Sequence, residues 1–251
     1  MTCDGLADAC INVCISYDRC VIPESTSRAR LWDVAATLEN GSPLTRRLAG
    51  ELFEGIVTGA HPAGSLLTAV EVAQAANVSR TPAHEALLAL ERVGLVRLLP
   101  KKGAVVTPLT IDQEHDLLSV RAMFECAAID TLAADDDVSG RASALDLDLQ
   151  EMLAEQRAAV AAADLLAFAT ADFAFHARIV SEARNSVVSE TFAQLGPRLA
   201  CLTYRAAARD SRLPERFYTD HQKLASLALR HDADQFRAVL TNHLDAGHPA
   251  H

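Results

Sequence analysis

The sequence has 251 residues, half of them hydrophobic, and a formal net charge of −10, enough apolar material for one large or two ordinary domains with a sizeable core. Low aromatic content and abundant alanine favour packed helices over sheets. No run approaches the length of a membrane span and no basic start leads into an apolar stretch, so neither a span nor a secretory signal is expected, and the chain is expected to be cytoplasmic.

In chain order, residues 1–41 carry Cys3, Cys10, Cys14 and Cys20 without the paired Cys-x-x-Cys ligands of a zinc site. A cytoplasmic chain does not favour disulfides, so this segment is expected to be a disordered, cysteine-containing extension. Leu44, Leu48, Leu52 and Ile56 then recur at four-residue steps and Gly59 follows as a stop, which predicts an amphipathic helix over 44–58. A short helical stretch, Ala69 to Ala76, is separated from the next by only Asn77 and Val78, the spacing of a helix-turn-helix. Ser79 or Thr81 can cap that next helix, Pro82 suits its first turn, and Gly94 can end it in the left-handed conformation. Its apolar face is Ala83, Ala86, Leu87, Leu90 and Val93, which leaves Arg80, Thr81 and His84 at the outer tip. Beyond Gly94, residues 95–99, Pro100-Lys101-Lys102-Gly103 and 104–107 read as strand, basic turn and strand, a wing.

Charge is divided unevenly. Residues 42–108 carry seven Lys and Arg against five Glu, whereas residues 1–41 carry three Arg against six acids and residues 109–251 carry thirteen basic against twenty-two acidic residues. Only the helix-turn-helix segment is net basic, as a nucleic-acid partner requires. Pro62-Ala63-Gly64-Ser65-Leu66, Val78-Ser79-Arg80-Thr81-Pro82, Glu85-Ala86-Leu87 and Gly94-Leu95-Val96 together resemble the winged helix of the GntR family. The resemblance implies a winged helix DNA-binding domain over 42–108 that meets a double-stranded DNA operator through Ser79, Arg80, Thr81, His84, Lys101, Lys102 and Gly103. His84 stands where relatives commonly place Arg, and Val70 where the FadR-type pattern can offer a basic contact; both departures point to an altered operator.

From Thr110 onward, long Ala- and Leu-rich patterns predict helices at about 112–134, 141–161, 164–184, 187–209, 215–230 and 233–245, an antiparallel all-helical bundle over 109–251. The acidic run Asp135 to Gly140 reads as a solvated loop. The fold class is thus mainly α, an N-terminal winged helix-turn-helix with a small β wing followed by the bundle. Cys126 and Cys201 read as ordinary helix-core cysteines.

Asp172 and His176 lie at i and i+4 on one helix and share a face. His221 and His243 are twenty-two residues apart, roughly 33 Å along an unbroken helix, but Arg230-His231-Asp232-Ala233-Asp234 offers a turn that brings them side by side. Three neutral imidazoles and a carboxylate suit a divalent ion such as Zn²⁺ or Ni²⁺, although a histidine taken singly is more often a surface or satisfied core residue than a ligand.

Arg121-x-x-Phe-Glu125, Asp172-x-x-Phe-His176, Ala183-Arg184-Asn185, Asp220-His221 and His243-Leu244 resemble the FCD effector-binding domain of the FadR subfamily. That resemblance implies a metal held by Asp172, His176, His221 and His243, a small organic acid (carboxylate) effector met by Arg121 and Asn185, a homodimer without membrane association, and repression of transcription from a palindromic operator. A guanidinium at position 121 suits a carboxylate, with pairing to Glu125 as the competing role; Asn185 competes as a helix cap. A metal-dependent enzyme built on the Asp/His cluster and a protein-binding winged-helix adaptor are the alternatives. Neither a nucleophile elbow nor a phosphate loop accompanies the cluster, and no enzymatic activity is expected.

Overall fold

A computed structural model of the chain describes residues 42–134 and 139–247. The extension expected over residues 1–41 and most of the expected acidic loop lie outside them. Ser139 and Gly140, expected in that loop, instead begin a helix.

Helix α1 (Pro43–Val57) opens on Ser42, whose side chain accepts from the Thr45 N–H. Helix α2 (Ala69–Ala75) begins in a reciprocal capping box between Thr68 and Glu71. Its end forms the turn of the helix-turn-helix. Asn77 takes φ of 52°, and its N–H and that of Val78 reach back to the Gln74 and Ala73 carbonyls, a left-handed cap that asparagine tolerates. Helix α3 (Arg80–Arg92) closes the same way on Gly94, at φ of 75°, with Leu95 N–H bonded to the Leu90 carbonyl.

Strands β2 (Val96–Leu99) and β3 (Gly103–Val106) form the expected wing hairpin. A third strand, β1 (Leu66–Leu67), lies outside the expected elements; it pairs antiparallel with β3, Leu66 opposite Val105, to give the order β1-β3-β2. Two tethers fix α3 within this unit: Thr45 donates to Glu85, and Glu91 accepts from the Leu98 N–H on the outer edge of β2 at 2.7 Å. Gly103 has φ of 127°, and an added Cβ would stand 2.5 Å from the Leu67 carbonyl oxygen of β1. Gly103→Ala is therefore expected to cost about 1–3 kcal/mol, measurable as a lower denaturation midpoint; an unchanged midpoint would mean that β1 does not pack against the wing turn.

The bundle comprises α4 (Ile111–Ala133), α5 (Ser139–Ala162), α6 (Leu165–Val180), α7 (Ser186–Arg209), α8 (Leu213–Leu229) and α9 (Ala233–Gly247). These are the six helices expected, with one difference: α6 stops at Val180, passes through a 3₁₀ turn at Ser181–Ala183, and ends where Arg184 adopts φ of 51°. One apolar cluster runs from Leu90, Val93 and Leu95 of the winged helix to Leu117, Phe173, Phe192 and Leu199 of the bundle, and the Arg198 side chain of α7 lies across Gly94 at the end of α3. A second cluster, including Ile129, Leu149, Phe175, Leu224 and Phe236, fills the bundle interior. No helix among the described residues is long and apolar enough to cross a membrane.

Candidate metal centre and DNA-facing helix

Ser79 occupies the cap position of α3, yet its hydroxyl makes no capping bond. Ser79, Arg80, Thr81 and His84 are all exposed at the start of α3, and a helix N-terminus whose first N–H groups lack helical partners is an arrangement that can receive phosphate. At the wing, Lys101 and Lys102 are exposed and Lys101 holds a left-handed φ of 63°, while Gly103 is half-buried. Val70 is exposed on α2.

Inside the bundle, each of the six helices contributes to one buried polar cluster: Arg121 and Glu125 from α4, Gln156 from α5, Asp172 and His176 from α6, Thr203 from α7, His221 from α8 and His243 from α9. The turn expected between His221 and His243 is present, with His231 at φ of 56° and the Asp232 N–H bonded to the Leu227 carbonyl. It brings the two Nε2 atoms within 3.4 Å, and the His176 and His221 Nε2 atoms lie 3.1 Å apart. Phe175 stacks on His221 at 4.7 Å between centroids, and Phe217 meets His243 edge-on at 4.8 Å, which limits the tilt of both rings. Gly247 allows Phe217 this position, since a Cβ there would stand 2.8 Å from its ring.

The remaining polar atoms are held around this centre. His176 Nδ1 lies 2.7 Å from Glu125 Oε2, and Arg121 Nε donates to Glu125 Oε1 at 3.0 Å. Thr203 donates to Asp172 Oδ2. Burial pushes Glu125 up to about 7, with the Arg121 charge pulling the other way. Burial, reinforced by Arg121 and the neighbouring rings, holds His176 and His243 well below the ordinary histidine range, so both are neutral.

These residues fit a divalent cation. One donor atom from each of Asp172, His176, His221 and His243 lies within 4.8 Å of the others. Asp172 Oδ1 is buried with no hydrogen-bond partner, which is costly for a carboxylate oxygen unless a positive charge compensates it. Arg121 approaches the same place, donating from Nη2 to His243 Nε2 at 3.3 Å, with Nη1 at 3.8 Å from Asp172 Oδ2.

Of the two residues expected at an effector, Arg121 lines a cavity beside the cluster with Leu118, Thr203, Phe217 and Leu244, and Asn185 does not. Asn185 instead caps α7, its Oδ1 accepting from the Val187 and Val188 N–H groups at 3.1 and 3.3 Å; those bonds occupy the oxygen at the surface. The pairing of Arg121 with Glu125 is present, and Arg121 also faces the cavity. That cavity measures about 10 Å³, room for about one water. Gln156 and Thr203 escape a reading of the sequence because they stand on helices with no motif of their own.

Residues 44–106 match the family described as bacterial regulatory proteins, gntR family, and residues 116–246 match the FCD domain. The chain is 34% identical over 162 residues, 59% of its length and 92% of the relative's, to an uncharacterised HTH-type transcriptional regulator in the TAR-I ttuE-ttuC' intergenic region of Agrobacterium vitis. It is 26% identical over 216 residues, 84% of its length and 90% of the relative's, to the HTH-type transcriptional repressor RspR of Escherichia coli. A crystal structure of a GntR regulator from Rhodococcus sp. RHA1 superposes with a TM-score of 0.66 at 22% identity, over 81% of this chain and 95% of that one, and shares the fold.

Proposed function

Because the chain belongs to the GntR family of regulators, with an FCD domain behind its winged helix, and is thus a DNA-binding transcription regulator rather than an enzyme, we propose that it is a metal-dependent, effector-controlled repressor. It works in the cytoplasm as a homodimer on a palindromic operator. The observation that carries this reading is the buried Asp172, His176, His221 and His243 group beside a cavity that Arg121 lines. Zn²⁺ or Ni²⁺ held by these four residues would supply positive charge and a site for a carboxylate oxygen.

In this reading residues 42–108 bind DNA and residues 109–251 bind the effector and dimerise. The effector is a small organic acid whose carboxylate Arg121 holds through two parallel hydrogen bonds. The cavity admits only about one water, so the acid must displace Arg121 from His243 and part the helices that carry them. Such opening is what gives an effector different affinities for two arrangements of the dimer, and only that difference can move DNA occupancy. The name of the Escherichia coli relative supports repression as the sign of control.

At the DNA, Arg80, Thr81 and His84 read bases while Ser79, Lys101, Lys102 and the Gly103 turn meet phosphates. A two-fold pair of such helices reads half-sites separated by a fixed distance. Selection from a randomised duplex pool should return inverted repeats; sequences without dyad symmetry would overturn the dimeric reading, and absence of salt-dependent binding would favour a protein-binding adaptor. Replacing Lys101 and Lys102 with alanine should weaken binding at every sequence and reduce the slope of log affinity against log salt by about 1 for each phosphate that is no longer neutralised. An unchanged slope would remove the wing from the phosphate interface.

A further inference from the structure

Gln156 is fully buried on α5, and nothing in its local sequence marks it. Its side-chain nitrogen donates to the backbone carbonyl of Ala171 on α6 at 3.3 Å, and its oxygen lies 2.6 Å from His221 Nδ1. The Ala171 carbonyl can only accept, so it fixes which way the amide points. The Gln156 oxygen in turn can only accept, so the His221 proton must sit on Nδ1. His221 Nε2 is then a lone pair. It is aimed toward His176 Nε2 at 3.1 Å and lies 3.3 Å from Asp172 Oδ1, the buried oxygen that has no hydrogen-bond partner.

The opposite tautomer would place a proton on Nε2 where Asp172 Oδ1 could accept it. It would also leave the Gln156 oxygen facing a lone pair at 2.6 Å, a repulsive contact inside a dry core. The amide therefore decides between a self-satisfied Asp172–His221 pair and a pair of empty donors facing one point.

We infer that Gln156 is a positioning residue for the metal centre: it locks His221 in the Nδ1–H tautomer and so keeps Nε2 free for a cation. The inference rests on the metal reading of the same site and adds a residue to it. Acceptors behind a metal-binding imidazole commonly govern affinity by about 10–100-fold. Gln156→Met keeps the size of the side chain and removes both the acceptor and the amide. His221 is then free to protonate on Nε2 and donate to Asp172. Gln156→Glu keeps an acceptor toward His221 and sets a second carboxyl oxygen against the Ala171 carbonyl, where only its protonated form can donate.

The test combines long-range ¹⁵N–¹H correlation spectra of ¹⁵N-histidine-labelled, metal-free protein, which report the tautomer of each ring, with zinc affinity from competition against a chromophoric chelator. Wild type and Gln156→Glu should show His221 as Nδ1–H and bind zinc with affinities that agree to well under the 10–100-fold effect of an acceptor's removal. Gln156→Met should shift His221 to Nε2–H and bind zinc about 10–100-fold more weakly. A wild-type His221 protonated on Nε2 overturns the inference, as does a Gln156→Met protein with wild-type tautomer and affinity. Should Gln156→Met fail to fold, loss of the Nδ1–H signal in Gln156→Glu overturns it instead. A wild type that shows the Nδ1–H tautomer yet takes up no zinc sinks the metal reading, and with it the metal-positioning role of Gln156.

Discussion

Zinc added to the metal-free protein should stabilise it by about 4 kcal/mol when the free ion stands a thousandfold above its dissociation constant, and replacing His221 and His243 together with alanine should abolish that gain. For a chain of this size the stabilisation corresponds to a rise in Tm of roughly 8 °C or more. The gain requires a site that the folded chain has and the unfolded chain lacks: three imidazole nitrogens and a carboxylate oxygen of Asp172 lie within 4.8 Å of one another, with Phe175 and Phe217 packed on the rings of His221 and His243. Thermal melts with and without zinc, together with elemental analysis of protein purified without chelator, measure it. A stoichiometric ion retained by the double variant would overturn the site.

The metal-free protein should also lose stability as pH falls below about 6.5, the ordinary histidine value. His176 and His243 are held neutral by burial, so the unfolded chain takes up two protons there that the native state does not. Their contribution is present above that pH and is lost below it. Glu125 acts in the opposite direction between 4.5 and about 7, being protonated in the native state, but one proton against two leaves the histidine sign in control below 6.5. Denaturant titrations across this range follow it directly.

Arg80→Ala should weaken operator binding by about 1–3 kcal/mol for each half-site and relax sequence preference at the base it contacts. Arg80 starts α3, is exposed, and stands beside a cap residue whose hydroxyl is not spent on the helix. His84 and Val70, exposed on the same unit, supply no guanidinium or ammonium group, which in this reading concentrates base reading on Arg80. A variant with unchanged affinity and unchanged selected sequences would show that the recognition helix is misassigned.

Much of this fold was legible because its signals are local. Gly94 ends α3, and the four-residue recurrence of Leu44, Leu48, Leu52 and Ile56 marks α1, each signal acting within a turn or two of itself. The convergence of Asp172, His176, His221 and His243 was legible for a mixed reason. Asp172 and His176 share a helix face by spacing alone, whereas the pairing of His221 with His243 needed the turn at residues 230–234 and the likeness to a known domain. Asn185 shows the limit of that likeness, since its side chain caps α7 at the surface and stands away from the cavity.

The sequence by itself determined the order of the helices, which face of each is apolar, and which segment is basic enough for DNA, because capping, periodicity and charge act over one to four residues; it misplaced the start of α5, which lies at Ser139, and the end of α6, which lies at Val180. Tertiary structure alone decided that Leu66 and Leu67 become a strand, which they do only by pairing with β3. It alone brought Gln156 behind His221 and Thr203 beside Asp172, across 65 and 31 residues of chain. Those contacts form when six helices pack their apolar faces together, and the buried polar atoms must then be satisfied by whichever side chains the packing brings within reach.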